Sequence, residues 1–146
     1  MNNYYDLLKE LAPLDRCHCG PEMEQAFRIL KNYYDSTRLI KYPCGEKINH
    51  WTLPPYWECK KGILKDCDGN IIADKKRNNL EVFSYSPSFK GLINLEDLQP
   101  HILSDPKRPE VIIFHFRNQY RHWEPVWGFS IPHSLRKTMN DKKYFV

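Results

Sequence analysis

The sequence has 146 residues, of which 41% are hydrophobic and 27% charged, the composition of about one ordinary globular domain. It excludes a collagen-like, low-complexity or largely disordered chain, and no apolar run reaches the roughly 18 to 20 residues of a membrane span. The start of the chain lacks the basic and apolar regions of a secretion signal. We therefore predict a soluble, cytoplasmic protein without a membrane partner. The net charge of +4 arises in residues 74–146 and is too small to favour nucleic acid as a partner.

Two helices and a strand are predicted before residue 48. Apolar residues recur with helical spacing over residues 4–11, and Pro13 ends this helix. Pro21, at a first helical position, begins a second helix together with the glutamates that follow it. The alternating pattern of residues 36–42 predicts a strand, which ends in a turn at Gly45.

Residues 48–146 are predicted to form a small antiparallel-rich α+β domain. The turn at residues 67–70 predicts a hairpin between the apolar runs on either side. Asn94 is expected to begin a short helix, and Pro132 another. Further strands are predicted at residues 80–85, 111–116 and 126–131. The predicted fold class is therefore α+β, with residues 1–47 as an N-terminal helical segment plus a first strand and residues 48–146 as a second domain.

The chain ends on an apolar run, Tyr144-Phe145-Val146, which follows charged residues as a strand does when it enters a core. We predict a strand at this position. Because a natural domain seldom stops inside such a run, we expect the chain to be the front part of a longer protein.

The sequence contains no complete motif for catalysis or metal binding. It has no G-x-S-x-G elbow, no phosphate-cradling glycine loop and no H-E-x-x-H helix. Five cysteines without a C-x-x-C pair indicate a reducing compartment and not a disulfide framework. Cys17-His18-Cys19 raises a structural zinc site as an alternative, but no second ligand pair accompanies it. His115 is interpreted as a hydrogen-bonded core or rim histidine, and His133 as a cap or turn contact.

The four tryptophans, Trp51, Trp57, Trp123 and Trp127, lie near the two long connections of the chain. Large aromatic side chains at such places pack into a core, line a ligand groove or anchor an interdomain contact. Core packing is the default interpretation. A stacking platform for a carbohydrate or a nucleotide is the alternative, and no charge pattern selects one ligand.

A series of short motifs runs in a fixed order along nearly the whole chain. The series comprises Leu14-Asp15-Arg16-Cys17-His18-Cys19-Gly20, Tyr42-Pro43-Cys44-Gly45, Trp51-Thr52-Leu53-Pro54, Trp57, Asn79-Leu80, Tyr85-Ser86, Leu95-Glu96-Asp97-Leu98-Gln99-Pro100-His101 and Trp127-Gly128-Phe129 with His133. With these gaps, the chain resembles bacterial aminopeptidase-like proteins. Those proteins are similar to zinc-dependent exopeptidases with a small inserted domain, and they are often encoded near surface-polysaccharide genes.

The resemblance implies that zinc-bound water attacks a peptide or amide carbonyl in the full-length protein. It also implies that the zinc ligands and the general base lie beyond residue 146. No catalytic residue, metal ligand or bound cofactor is therefore expected in this chain, which would shape the substrate cleft of the longer protein. Whether the protein is an enzyme stays open, because the chain alone has no recognisable catalytic site.

The resemblance marks Arg16, Tyr120 and Trp127 as candidate substrate-binding residues. Arg16 matches the first position of the family's Arg-Ser-Ile-Thr-Gly motif, whose hydroxyl residues are replaced here, and Tyr120 is the match in a longer loop. The forked guanidinium of Arg16 suits a carboxylate, and a salt bridge with Asp15 or Glu22 is the alternative. These departures from the family pattern predict a diverged member, a changed substrate or a lost activity.

Two other functions stay open. The first is a non-enzymatic module that binds a protein or a glycan through its aromatic residues and basic second half. The second is nucleic-acid binding through Arg117, Arg121 and Trp123. We also predict a homo-oligomer, because the first helices would leave an apolar face uncovered. The residues of that face are Met23, Phe27 and Leu30.

Overall fold

The computed structural model describes residues 4–140 and 142–146, and the chain divides into two compact units. The first unit ends at Glu58 and the second begins at Cys59. The prediction that the chain has no secretion signal rests partly on residues 1–3, which lie outside the described residues. No helix within the described ranges is long and apolar enough to cross a bilayer.

The first unit is built around two helices, α1 (Tyr4–Leu11) and α2 (Pro21–Tyr33), as the sequence predicts. Leu7, Leu11 and Ala26 are buried between them, because the apolar stripes of the two helices face each other. The Tyr33 hydroxyl donates a hydrogen bond to Oε1 of Glu10 at 2.7 Å and so joins α2 to α1.

The strand predicted at residues 36–42 does not form. In the described chain the first strands are β1 (Lys47–Ile48) and β2 (Trp51–Thr52), which pair as an antiparallel hairpin. A strand needs a neighbour to accept and donate its backbone hydrogen bonds, and residues 36–42 pair with no described strand. In an alternating strand, Ile40 and Tyr42 would lie on the opposite face from Leu39 and Lys41. All four residues are instead exposed.

The second unit contains nine further helices and strands within the described residues. In chain order they are β3 (Ile63–Lys65), β4 (Ile71–Asp74), β5 (Leu92–Asn94), α3 (Leu95–Leu98), β6 (Ile102–Leu103), α4 (Arg117–Tyr120), β7 (Phe129–Ser130), α5 (His133–Thr138) and β8 (Lys143–Phe145). Short 3-10 segments follow β4 and α3. Together with the first unit they make the chain an α+β protein.

The main sheet of this unit has the strand order β4-β3-β8-β5, and all its pairings are antiparallel. The hairpin β3-β4 turns at Gly69, whose φ of 86° lies in the left-handed region that glycine tolerates. Strand β8 confirms the strand predicted at the apolar end of the chain. Tyr144, at its centre, is 1% exposed and packs in a core with Leu64, Leu98 and other apolar residues.

Three predicted strands of the second unit differ from the structure. Residues 80–85 form the end of a 3-10 turn and a single bridge from Val82 to Phe129. Residues 126–131 form a strand only at β7, which pairs in parallel with β6. Residues 111–116 form no strand, because the side chain of Ser130 takes both backbone groups of Ile113 in place of a neighbouring strand. The helices expected from Asn94 and from Pro132 are present as α3 and α5.

Candidate functional site

The indole of Trp127 is the centre of a stack of three rings, Phe89, Trp127 and His101, which we call the aromatic stack. The Phe89 centroid lies 4.3 Å from that of Trp127 with an interplanar angle of 4°, and the His101 centroid lies 3.7 Å away at 8°. Two parallel rings this close to one centroid would overlap if they shared a face, so they cover opposite faces of the indole. The stack therefore leaves only the edge of the indole uncovered, and Phe129 lies edge-on to it at 6.4 Å.

The backbone beside Trp127 holds the aromatic stack in place. Nδ1 of His101 and the carbonyl oxygen of Trp127 are 2.7 Å apart, and because a carbonyl only accepts, this nitrogen carries the proton. A Cβ added at Gly128 would lie 2.4 Å from the Phe83 ring and 2.6 Å from the His101 carbonyl oxygen. The Trp-Gly-Phe motif therefore needs glycine at its centre, so that the backbone at residue 128 can approach the Phe83 ring.

A second ring pair, Phe83 and His115, lies in the same unit. The two centroids are 3.8 Å apart and the rings are nearly parallel, at 6°. Burial lowers the pKa of His115 below its ordinary value, and the charge of Arg117 lowers it further. Nδ1 of His115 is buried and has no hydrogen-bond partner in the part of the chain that the structure describes. His115 is a half-buried, neutral rim residue stacked on Phe83, although the strand predicted around it is missing.

Asn118, on α4, fixes the loop that carries both Tyr120 and Trp127. Its side chain is fully buried. Nδ2 donates to the carbonyl oxygens of Ser84 at 3.0 Å and Val126 at 2.7 Å, and Oδ1 accepts from the Val126 backbone N–H at 3.1 Å. A buried amide is costly unless its polar atoms are paired, and here both ends of the amide are. This clamp ties α4 to the residue before Trp127.

Residues 111–126, which we call the aromatic segment, carry apolar side chains into solvent. Tyr120 belongs to it and is 58% exposed, with its ring edge-on to Phe116 at 6.3 Å. The structure thus places two candidate substrate-binding residues in one unit, Tyr120 open to solvent and Trp127 half-buried in the aromatic stack. Trp123 is also exposed. The exposed apolar residues of the segment are Val111, Phe114, Phe116, Tyr120, Trp123 and Val126.

Arg16, the third candidate, lies in the first unit and is exposed on the loop between α1 and α2. The next residue, Cys17, is only 2% exposed, and its Sγ lies 3.8 Å from the carbonyl oxygen of Trp57. The Trp57 backbone N–H donates to the carbonyl oxygen of Cys19 at 2.8 Å. A Cβ on Gly20 would come within 2.6 Å of the Cys17 sulfur. This motif therefore has a packing role, which fixes the loop that presents Arg16.

A metal ion would need three or more carboxylate, thiolate or imidazole groups around one point. Within residues 4–140 and 142–146, no three His, Cys, Asp or Glu side chains form such a group. The described residues therefore do not fit the zinc that the resemblance implies for the full-length family.

His133, at the start of α5, contacts Oγ of Ser104 through Nδ1 at 3.0 Å. Arg136, on the same helix, donates to Oε1 of Gln99 at 2.6 Å and to the Ile102 carbonyl oxygen at 3.1 Å. These bonds join α5 to the segment around β6, so His133 makes a long-range structural contact and not the cap or turn contact that the sequence predicts. The hydroxyl of Ser104 is part of this packing.

Sequence reasoning missed three residues that shape the site: Phe89, His101 and Asn118. His101 stood within a motif of the series but carried no role, and Phe89 lies in a loop without a pattern. Asn118 precedes a run of polar residues that looks solvated, and its complete burial depends on partners far along the chain. No local signal in the sequence identifies it.

Comparisons with known proteins agree with this picture. A family model described as "Domain of unknown function (DUF2172)" matches residues 56–146. A curated protein of Clostridium acetobutylicum named "Putative polysaccharide biosynthesis protein with aminopeptidase-like domain" is 26% identical over 142 residues, covering 97% of this chain and 32% of the relative. A crystal structure from the same organism, described as a "putative peptidase", superposes with a TM-score of 0.84 at 26% identity and covers 97% of this chain. This chain spans 32% of the length of each of these relatives.

Proposed function

The chain belongs to the DUF2172 family, and we propose that it is the N-terminal portion of an aminopeptidase-like protein whose substrate cleft it helps to shape. The observation that carries this proposal is the similarity over 97% of the chain, in sequence and in fold, to a protein named for an aminopeptidase-like domain and to a structure called a peptidase. Both relatives are much longer than this chain. The activity belongs to the longer protein, and the part described here contributes binding surface.

Three side chains carry the proposed substrate contacts. Arg16 presents an exposed guanidinium, which suits bidentate binding of a substrate carboxylate. Tyr120 offers an exposed phenol, and Trp127 offers the edge of an indole whose faces are covered. Asn118 supports the last two by bonding Val126, the residue before Trp127. The two aromatic contacts, which both lie in the second unit, are preorganised because Asn118 holds the loop that carries them.

Zinc belongs to this proposal only as a property of the longer protein. We propose that residues outside this chain hold the ion, since the described residues bring no suitable group of ligands together. The work of this chain is then to orient a peptide or amide. Its effect on catalysis would be seen in KM and in substrate preference.

The test compares the full-length gene product with the 146-residue chain. We expect the full-length protein to release p-nitroaniline from aminoacyl p-nitroanilides in a zinc-dependent manner, and the isolated chain to release none. Titration calorimetry of the isolated chain with zinc should show no stoichiometric binding. In the full-length protein, Arg16→Gln should raise KM for a dipeptide with a free carboxylate while KM for the amidated dipeptide stays unchanged.

Two results would contradict the proposal. Tight one-to-one zinc binding by the isolated chain would place the metal site inside it. A full-length protein that hydrolyses none of an aminoacyl anilide panel, yet binds peptides, would favour the second candidate, a non-enzymatic interaction module. The exposed aromatic segment is the observation that keeps that candidate open.

A further inference from the structure

We propose that the aromatic segment, residues 111–126, is a docking surface for a peptide segment that carries apolar side chains together with carboxylates. The inference rests on the proposed function only in taking a peptide as the ligand, and it requires no hydrolysis. It names the chemistry of the ligand that this part of the second unit selects.

The first argument is the amount of apolar surface that one short stretch leaves in water. Six apolar side chains of the segment are between 38% and 63% exposed, and four of them are aromatic. Single exposed apolar residues are ordinary, whereas a cluster on one segment marks an interaction site. Aromatic residues also contribute most to binding, because they bury a large area with few rotatable bonds.

The second argument is that buried polar bonds hold this segment in place. Oγ of Ser130, a residue with no exposed surface, donates to the carbonyl oxygen of Ile113 at 2.6 Å and accepts from its N–H at 3.0 Å. Further along the segment, the side chain of Asn118 makes one hydrogen bond to Ser84 and two to Val126. These bonds anchor the backbone of the segment at Ile113 and Val126, while its aromatic side chains are exposed. A surface fixed in this way pays little ordering entropy when a ligand binds.

The third argument is charge. Arg117 and Arg121 both direct a guanidinium at the same oxygen of Glu124, at 3.5 and 3.2 Å. One carboxylate therefore serves two arginines, which leaves one positive charge without an acidic partner of its own among residues 4–140 and 142–146, beside exposed aromatic rings. An incoming carboxylate can pair with it, and arginine binds carboxylates through its fork of donors.

These features favour a peptide over the other ligands that aromatic residues bind. A carbohydrate needs free amides and carboxylates for its hydroxyl groups, but Asn118 and Gln119 are buried and Glu124 is paired with the arginines. A nucleic acid needs a dense basic surface, and this segment has a single uncompensated arginine. A peptide with alternating apolar and acidic residues matches both the rings and the charge.

The experiment is a fluorescence anisotropy titration of the 146-residue chain. The probe is a fluorescein-labelled decapeptide in which leucine or phenylalanine alternates with glutamate. The control peptides carry lysine in place of glutamate, or serine in place of the apolar residues. We expect saturable binding of the acidic apolar peptide and at least tenfold weaker binding of both controls, roughly the loss expected when hot-spot contacts are removed.

Variants test whether the peptide binds to the aromatic segment and whether the positive charge of the segment contributes to the affinity. The double variant Phe114→Ser with Trp123→Ser should weaken binding about tenfold or more, whereas Tyr56→Ser, an equally exposed aromatic residue of the first unit, should leave it unchanged. Arg121→Gln should weaken binding about threefold. Glu124→Gln should strengthen it about threefold, because it removes the carboxylate that competes with the peptide for both guanidiniums.

Peptide binding that the double variant leaves intact would overturn the inference, as would weaker binding in Glu124→Gln. Binding of polyadenylate, of a mixed glycan panel or of phosphatidylserine vesicles, with no binding of the peptide, would assign the surface to another ligand and also overturn it. Hydrolysis is not read in this assay. A full-length protein that hydrolyses anilides while the peptide fails to bind would therefore contradict this inference and leave the proposed function standing.

Discussion

Asn118 and Val126 bond to each other through a side chain and a backbone, in both directions. Oδ1 of Asn118 accepts from the Val126 N–H at 3.1 Å, and Nδ2 donates to the Val126 carbonyl oxygen at 2.7 Å. This is the pairing that one strand residue offers another, supplied here by an amide side chain. Irregular backbone thereby obtains partners that a sheet would otherwise provide.

Asn118→Ala should destabilise the second unit by about 1 to 3 kcal/mol, because three backbone groups, of Ser84 and Val126, lose their partner. The free energy of unfolding is measured by urea denaturation followed by circular dichroism. Asn140→Ala, at an exposed asparagine of the same unit, is the matched control and should change it by under about 0.5 kcal/mol. Equal effects of the two variants would show that the Asn118 hydrogen bonds make no net contribution to the free energy of unfolding.

Gly128→Ala should destabilise the second unit by about 1 to 3 kcal/mol, since its Cβ would collide with the Phe83 ring and the His101 carbonyl oxygen. Gly91→Ala is the control, because a Cβ there meets only the Phe89 ring, at 3.7 Å. Thermal unfolding of the two variants measures the difference. Near-ultraviolet circular dichroism should change for Gly128→Ala alone, because the aromatic stack moves with residue 128. If Gly128→Ala is as stable as Gly91→Ala, the Phe83 ring has room to move away from the added Cβ.

The pH dependence of stability should carry the signature of His115. Its pKa is lowered from 6.5 by burial, so the unfolded chain binds this proton more readily than the folded chain does. The stabilisation is fully present above pH 6.5 and is lost as the pH falls through the lower pKa of the folded state. His115→Phe, which keeps the stack on Phe83, should lose less stability on acidification than the wild type. An NMR titration that places the pKa of His115 at or above 6.5 would contradict this expectation.

Arg77→Met should lower the free energy of unfolding by about 2 kcal/mol, because it removes the charged partner of a nearly buried carboxylate, whose remaining hydrogen bond in the described chain comes from the Asp74 N–H. Glu81 has a side chain only 3% exposed, and it accepts two hydrogen bonds from Arg77 at 2.8 Å. Arg28→Met removes an exposed pair with Glu24 and should cost under about 0.5 kcal/mol. Chemical denaturation of both variants gives the comparison. If Arg77→Met costs no more than Arg28→Met, water reaches Glu81 well enough to replace the guanidinium.

The sequence was informative where local patterns decide the structure. Helix α2 begins at Pro21, the hairpin β3-β4 turns at Gly69 and the apolar end of the chain is strand β8, because proline geometry, glycine φ and alternation act over a few residues. The strand predicted at residues 111–116 was wrong. An apolar run looks the same in the sequence whether its backbone hydrogen bonds are made to a neighbouring strand or to a serine side chain.

The candidate site could be predicted only in outline. The resemblance marked Tyr120 and Trp127, which the structure places in one unit and links through Asn118. It could not indicate that Phe89 and His101 cover the faces of Trp127, since such contacts join loops distant in sequence. The roles of Arg16, Tyr120 and Trp127 as substrate contacts stay predictions. So do the assignment of residues 1–47 to a peptidase-like domain and self-association through Met23, Phe27 and Leu30.

Strand β8 lies between β3 and β5, which do not pair with each other. On the ribosome, β3 and β5 emerge long before residues 143–145, so the hairpin β3-β4 waits with an open edge while most of the unit is being synthesised. Pairings this distant in sequence close slowly, and an unpaired edge invites association with other nascent chains. The order of synthesis therefore makes the assembly of this sheet a late event, because the core around Tyr144 forms only after strand β8 has left the exit tunnel.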